Sequence, residues 1–236
     1  MMLRIDIITL FPELFTAWMI NGINRRAFEH GLVQAVFWNP RDFTKDNYRR
    51  VDDRPYGGGP GMVMLPQPLA ASIQAAKARH ALHGIVDSAV IYLSAQGVPC
   101  NHATVMNLSK SKGIIILCGR YEGIDQRIIN HYITQQICVG DFVVSGGELP
   151  AMMVLDAALR LIPGVLNDLV STKEDSFYSG GLDHVHYTRP KIFENVTVPA
   201  VLMSGNHINI KNWRMQQAHA LTQAIRPDLL KIKNDK

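Results

Sequence analysis

An α/β fold, with a mainly parallel sheet covered by helices on both faces, is what this 236-residue sequence predicts. Three observations carry the prediction. Short runs rich in Ile, Val and Leu recur from the N-terminus onward, helical patterns separate them, and strands alternating with helices pack as parallel sheets between helical layers. The strand runs are Leu3–Leu10, Leu32–Trp38, Ala89–Leu93, Ile114–Cys118 and Gln136–Val144. Helical patterns occupy Pro12–His30, Pro66–Leu82, Asn101–Lys110 and Ile124–His131, and Leu149–Ile162 follows the last strand. In such sheets ligands bind where loops leave the carboxyl ends of the strands, which directs attention to the residues after Leu93, Cys118 and Val144.

The pattern breaks after Pro163. Asn, Asp, Ser, Thr and Gly crowd between Asn167 and Gly181 without an apolar period, which reads as a flexible linker. The chain is thus expected to divide into a first domain at 1–166, a linker at 167–181 and a small helical C-terminal domain at 182–236. The helix-like run Ile210–Ile225, with Trp213, Met215, Ala218 and Leu221, is small for an independent core and is expected to pack on something else, such as a second copy of the chain.

With 47% hydrophobic and 19% charged residues, the chain is too apolar to be disordered. Its net charge of +4 tolerates a polyanionic partner without demanding one. Cys100, Cys118 and Cys138 are far apart and form no CxxC pair, as expected of reduced thiols. Ile5–Phe11 contains Asp6, lacks a cationic leader and stops at Pro12, so it does not read as a signal peptide. The longest candidate span, Leu149–Leu166, is interrupted by Asp156 and Arg160. A soluble cytoplasmic protein without membrane association is expected.

The stretch Asp52–Gly61 crowds glycines and prolines together and must be a shaped loop, although neither the GxxxxGK[ST] nor the GxGxxG spacing is present. It is either a rigid turn or a binding loop. Three further loops follow predicted strands: Ser94-Ala95-Gln96-Gly97, Gly119-Arg120-Tyr121-Glu122-Gly123-Ile124-Asp125 and Gly140–Glu148. At one sheet edge they would converge on a pocket of backbone donors and acceptors, suited to an adenine and a ribose. Asp156 and Arg160 have the spacing of an ordinary helical ion pair, and Glu174 and Asp175 are linker carboxylates. His184, His186, Tyr187, Arg189 and Lys191 form a basic, partly aromatic cluster able to contact phosphates and stack on an unpaired base. A metal site at His184 and His186 is rejected, because no third ligand stands at a telling spacing.

Taken together, Val51–Gly61, Gly119-Arg120-Tyr121-Glu122-Gly123-Ile124-Asp125, Ser145-Gly146-Gly147-Glu148-Leu149-Pro150 and His186-Tyr187-Thr188-Arg189-Pro190 resemble the bacterial tRNA (guanine-37-N1)-methyltransferase family. The likeness runs in the family's order from Leu10-Phe11-Pro12 to Ser204-Gly205-Asn206-His207 and Trp213-Arg214. It departs at Ala95, where the family usually has proline. The resemblance implies a deep trefoil knot of the SPOUT type in the first domain, a C-terminal domain that binds tRNA, and a homodimer whose active sites lie at the subunit interface. It implies S-adenosylmethionine as methyl donor, bound by Tyr92, Leu93, Ser94, Gly119, Glu122, Val139, Gly140, Asp141, Phe142, Val143, Val144, Gly146, Gly147 and Pro150. Asp52, Arg54 and Gly61 would lie near the target guanine, with His186, Tyr187 and Arg189 also on the RNA. Asp175 and Arg160 would act at the reacting atoms. The family also allows for assistance by Mg²⁺. A related knotted methyltransferase acting on another base or on a ribose hydroxyl, and a catalytically silent RNA-binding module, are the competing readings.

Overall fold

A computed structural model describes residues 2–166 and 174–231. The chain divides into two compact units, Met1–Asn167 and Asp168–Lys236. The expectations that fall on 167–173, including the start of the expected linker, lie outside the described residues.

The first unit is built on five parallel strands in the order β2-β1-β6-β5-β7. In chain order these are β1 (Leu3–Ile8), β2 (Val33–Trp38), β5 (Ala89–Pro99), β6 (Gly113–Leu117) and β7 (Gln135–Cys138). The short β3 (Asp52–Asp53) and β4 (Val63–Met64) form a separate antiparallel hairpin. The helices are α1 (Thr16–Ile20), α2 (Gly22–Glu29), α3 (Pro66–Leu82), α4 (His102–Ser109), α5 (Gln126–Tyr132) and α6 (Glu148–Leu159).

Strands buried on both faces need apolar residues at every position, and β6 is buried throughout. On one face Ile5, Ile7, Ile91, Ile114 and Ile116 pack with Ala27 of α2, Val105 and Leu108 of α4, and Val154, Leu155 and Ala158 of α6. On the other, Ile8, Val90, Ile115 and Leu117 pack with Leu69, Ile73 and Ala76 of α3 and Ile128 of α5. The exception to apolar filling is Asp6, fully buried in β1. Its carboxylate accepts from Trp38 Nε1 at 2.5 Å and Arg79 Nη1 at 2.6 Å and lies 2.5 Å from His80 Nε2, so the buried group is met by two hydrogen bonds, one of them from a cation.

Three expectations need correction. The helical pattern Pro12–His30 is not one helix: a 3₁₀ turn at Pro12–Phe15 leads into α1, and the chain breaks at Asn21 and Gly22, where φ is +62°. Strand β7 ends at Cys138 rather than running to Val144, because from Val139 onward the backbone no longer pairs with β5. Conversely, Ser94–Gly97 is not a loop after a strand. It belongs to β5 and bulges, since both Leu93 and Val98 pair with Ile137 and leave the residues between them without partners on β7.

The second unit holds a hairpin of β8 (Ile192–Phe193) and β9 (Val196–Thr197), a 3₁₀ turn at Ala200–Met203, and helices α7 (His207–Ile225) and α8 (Pro227–Lys231). Asn206 caps α7, its side chain accepting from the backbone N–H groups of Ile208 and Asn209. Among the described residues of this unit only Thr222 is buried. Its hydroxyl accepts from Leu182 N at 2.9 Å and donates to Ala218 O at 2.7 Å.

Candidate functional site

A cavity of about 330 Å³ opens at the carboxyl end of the sheet in the first unit. Three segments wall it: the β5 end and bulge (Tyr92–Gln96), the loop after β6 (Gly119–Ile124) and the end of β7 with the chain that follows (Ile137–Gly140 and Phe142–Gly147), with Gln126 and Ile129 of α5 and Pro150 of α6 beside them. Of the residues expected to hold a methyl donor, Tyr92, Leu93, Ser94, Gly119, Glu122, Val139, Gly140, Phe142, Val143, Val144, Gly146, Gly147 and Pro150 all line it. Asp141 is exposed between Gly140 and Phe142 and is not on the wall. The size is that of a small-ligand pocket, and glycines supply backbone groups without side chains in the way. Gly147 is required sterically, since a Cβ there would fall on the Cys118 and Gly119 backbone, to which Gly147 N also donates at 2.9 Å.

The walls are tied together by an arrangement the sequence did not reveal. Arg120 Nε stands 2.9 Å from Glu148 Oε2, an ion pair without hydrogen-bond alignment, and Arg120 Nη1 donates to Ser145 O at 3.2 Å. Glu148, buried at the start of α6, accepts from the Thr9 hydroxyl at 2.8 Å. The guanidinium also lies 4.5 Å from the centre of the Phe11 ring. Arg120 and Glu148 therefore fix the loop after β6 against the glycine turn at 145–147, so two cavity walls keep one spacing. Burial of Tyr92 in the wall raises its phenol pKa above the ordinary value. Burial, and secondarily Glu148, push the Cys118 thiol well up, so it behaves as a small apolar residue.

The residues expected near the target base arrive partly at this cavity. Hairpin β3–β4 docks against the loop after β6 through Glu122 N to Met62 O and Met64 N to Gly123 O, both 3.0 Å. Gly61, with φ at +81°, lies against Glu122 so closely that a Cβ would overlap its side chain. Burial raises the Tyr121 phenol pKa, and the nearby Asp52 carboxylate adds to that shift against the opposing pull of Arg41. Arg54 is exposed, with its backbone N–H on Asp53 Oδ1.

The catalytic candidates are not among the cavity's lining residues. Arg160 is exposed at the C-terminal end of α6, while Pro150 touches the cavity from the other end. At a rise of 1.5 Å per residue they are about 15 Å apart along the axis. Its expected partner Asp156 accepts from Asn24 Nδ2 at 2.5 Å. Asp175 is half-buried in the second unit, in a turn where Tyr178 N donates to its carbonyl at 3.4 Å. His186, Tyr187 and Arg189 are exposed in the same unit, with the Tyr187 ring 6.4 Å from Trp213. Asp183 is folded back so that its carboxylate lies 3.0 Å from His186 Nε2 and 3.5 Å from His184 Nδ1.

Comparison with known proteins places this geometry in context. A family model described as tRNA (Guanine-1)-methyltransferase TrmD matches residues 3–232. A tRNA (guanine-N(1)-)-methyltransferase of Janthinobacterium sp. (strain Marseille) is 53% identical over 228 residues, covering 97% of this chain and 92% of the relative. The protein of the same name from Dechloromonas aromatica (strain RCB) is 55% identical over 230 residues, covering 97% and 91%. That from Methylobacillus flagellatus is 53% identical over 227 residues, covering 96% and 86%.

Proposed function

The chain belongs to the tRNA (guanine-N1)-methyltransferase family and is an S-adenosylmethionine-dependent methyltransferase, and from that premise we propose that its target is the guanine on the 3′ side of the anticodon. The observation that carries the reading is the cavity at the strand ends, whose lining residues coincide with those that would surround the methyl donor. The donor supplies an electrophilic methyl group. Tyr92, Leu93, Ser94 and the glycines at 119, 140, 146 and 147 would hold it largely through backbone groups, with Glu122 near its methionine end and Asp141 and Val143 at the rim.

Neutral guanine N1 carries a proton and is a poor nucleophile, so a base must take that proton as the N1–methyl bond forms. Asp175 is the proposed base, and Arg160 steadies the negative charge that builds on O6. Asp52, Arg54 and Gly61 position the guanine, and His186, Tyr187 and Arg189 hold the RNA. The proposed division is a knotted donor domain at 1–166, a linker at 167–181 and a tRNA-binding domain at 182–236. The knot rests on the family resemblance alone.

The proposed assembly is a homodimer in which Arg160 and Asp175 meet across the subunit boundary. Support comes from apolar residues left exposed on the first unit, among them Ile20, Ile23, Leu149 and Met153, the last two on one face of α6. Their exposure suits a second copy better than a membrane, because no described helix is long and apolar enough to cross one. Action in the cytoplasm follows from the substrate. A role for Mg²⁺ rests on the family alone.

The test is methyl transfer from labelled S-adenosylmethionine to defined, unmodified tRNA transcripts, followed by nuclease digestion and mass spectrometry. N1-methylguanine next to the anticodon is expected. A methyl group on another nucleotide would refute the target assignment, and no incorporation would leave a binding module.

A further inference from the structure

We propose that Asp183, His184 and His186 form a two-histidine, one-carboxylate site for a divalent transition-metal ion such as Zn²⁺. The site lies within the second unit, and none of its residues lines the donor cavity. Asp183 Oδ2 is 3.0 Å from His186 Nε2, and Asp183 Oδ1 is 3.5 Å from His184 Nδ1. One ligand atom from each of the three residues falls within 4.8 Å of the others. Ligands about 2.0–2.1 Å from a tetrahedral ion stand roughly 3.3–3.4 Å from each other. The two imidazoles stand 3.0 and 3.5 Å from different oxygens of the one carboxylate, and the three ligand atoms lie within 4.8 Å of one another, so side-chain rotation has to draw them together around an ion.

The second observation is on His184. Its side chain is 12% exposed, and Nδ1 is buried without an aligned hydrogen-bond partner. Buried polar atoms ordinarily have one, and a metal ion would supply it. His186 is 70% exposed and provides the entry path. The two imidazoles meet edge to face, with ring centres 4.4 Å apart, so their nitrogens are presented to one region. The carboxylate is already oriented: Asp183 N donates to Ser176 Oγ at 2.9 Å, and Oδ1 accepts from His184 N at 2.6 Å. Such outer contacts fix a ligand's direction and tune its affinity.

The ligand set also selects the ion. Imidazole nitrogens suit Zn²⁺, Cu²⁺ and Ni²⁺, whereas Mg²⁺ takes oxygen ligands and retains its waters. The site is therefore distinct from any Mg²⁺ that assists the reaction. Three protein ligands leave a fourth position for water. Occupancy would hold His186 on Asp183 and pin the segment that leads into Tyr187 and Arg189.

The experiment is calorimetric titration of the metal-free full-length protein with Zn²⁺ in the presence of excess Mg²⁺. One Zn²⁺ per chain is expected, with affinity lowered at least about tenfold by His184→Ala and by Asp183→Asn, and unchanged by Cys100→Ser. Ring-nitrogen NMR of the unmutated protein should show His184 and His186 shifting on Zn²⁺ addition, a readout independent of how the variants fold. No stoichiometric uptake, uptake that survives both ligand substitutions, or shifts confined to other histidines would overturn the proposal.

Discussion

The first unit completely buries Ile5, Ile7, Ile91, Ile114, Ile116 and Leu117 between two helical layers, whereas among the described residues of the second unit Thr222 is the one buried side chain. Both units contain apolar residues in quantity. In the second, Val185, Ile192, Phe193, Val196, Ile208 and Met215 are exposed, and local order comes from a helix cap, a short hairpin and the bonds around Thr222. Hydrophobic burial is worth about 25 cal/mol per Å², so a chain segment that keeps its apolar surface wet gains little of that stabilisation by itself. The cavity proposed for the donor stands on the unit with this core, and the proposed base stands on the unit whose described residues bury one side chain. A site assembled as proposed would have a donor half formed within one unit and an acceptor half that depends on association.

The contrast is sharpest for catalysis. Asp175→Asn removes the proposed proton acceptor without touching the donor cavity, so single-turnover methyl transfer should fall by about 10²- to 10⁴-fold while S-adenosylmethionine affinity stays nearly constant. Glu174→Gln is the control and should be much milder; a larger loss there, or an Asp175→Asn rate within a few-fold of the unmutated enzyme, would break the assignment.

Stability should divide the same way. Ile116→Ala opens a cavity in the central strand and should cost about 2–5 kcal/mol in urea denaturation. Ile192→Ala, on an exposed two-residue strand, should stay within about 0.5 kcal/mol. Equal losses would mean that the second unit has a buried core after all.

Within the first unit, Arg120→Ala separates the cavity walls from each other and leaves Glu148 buried without its cation. Donor affinity by calorimetry should fall by about tenfold, with a weaker effect from Arg120→Lys, which keeps the charge and loses the fork. Unchanged donor binding would show that the walls hold their spacing without this pair. The smallest expected effect belongs to Ala95→Pro. The bulge residues of β5 have no partner on β7, so proline removes no bond to that strand and stiffens the cavity wall, which should tighten donor binding by a few-fold. Looser binding would mean that the bulge backbone does not accept proline's φ.

The parallel sheet was legible in the sequence because strands covered on both faces must be continuous apolar runs, and Ile114–Leu117 is one. Apolar composition does not report where pairing stops. The bulge at Ser94–Gly97 and the end of β7 at Cys138 depend on which partner strand is within reach, and neither was foreseen. The break at Asn21–Gly22 was hidden because the apolar period resumes on the far side. In the site, the segments after β6 and β7 were visible as glycine-rich turns, and Ser94–Gly97 was read as a third such loop although it is a bulge within β5. The contacts of Glu148 with Thr9 and Arg120 were not, because the partners are far apart in the chain and only the fold brings them together. The return of Asp183 onto His184 and His186 was not visible either, because it is set by local hydrogen bonds that leave no composition signal.

Shared assembly of the site is the claim on which the rest depends, and mixing two inactive chains measures it directly. Arg160→Ala and Asp175→Ala proteins are each expected to be nearly inactive. When they are co-refolded into heterodimers, one of the two sites should receive an intact Arg160 and an intact Asp175 from opposite chains, and methyl transfer to tRNA should return to a substantial fraction of that of unmutated chains treated identically. If the mixed dimers form but remain as inactive as either parent, Arg160 and Asp175 do not meet across the subunit boundary, and the division of the site between the two subunits is wrong.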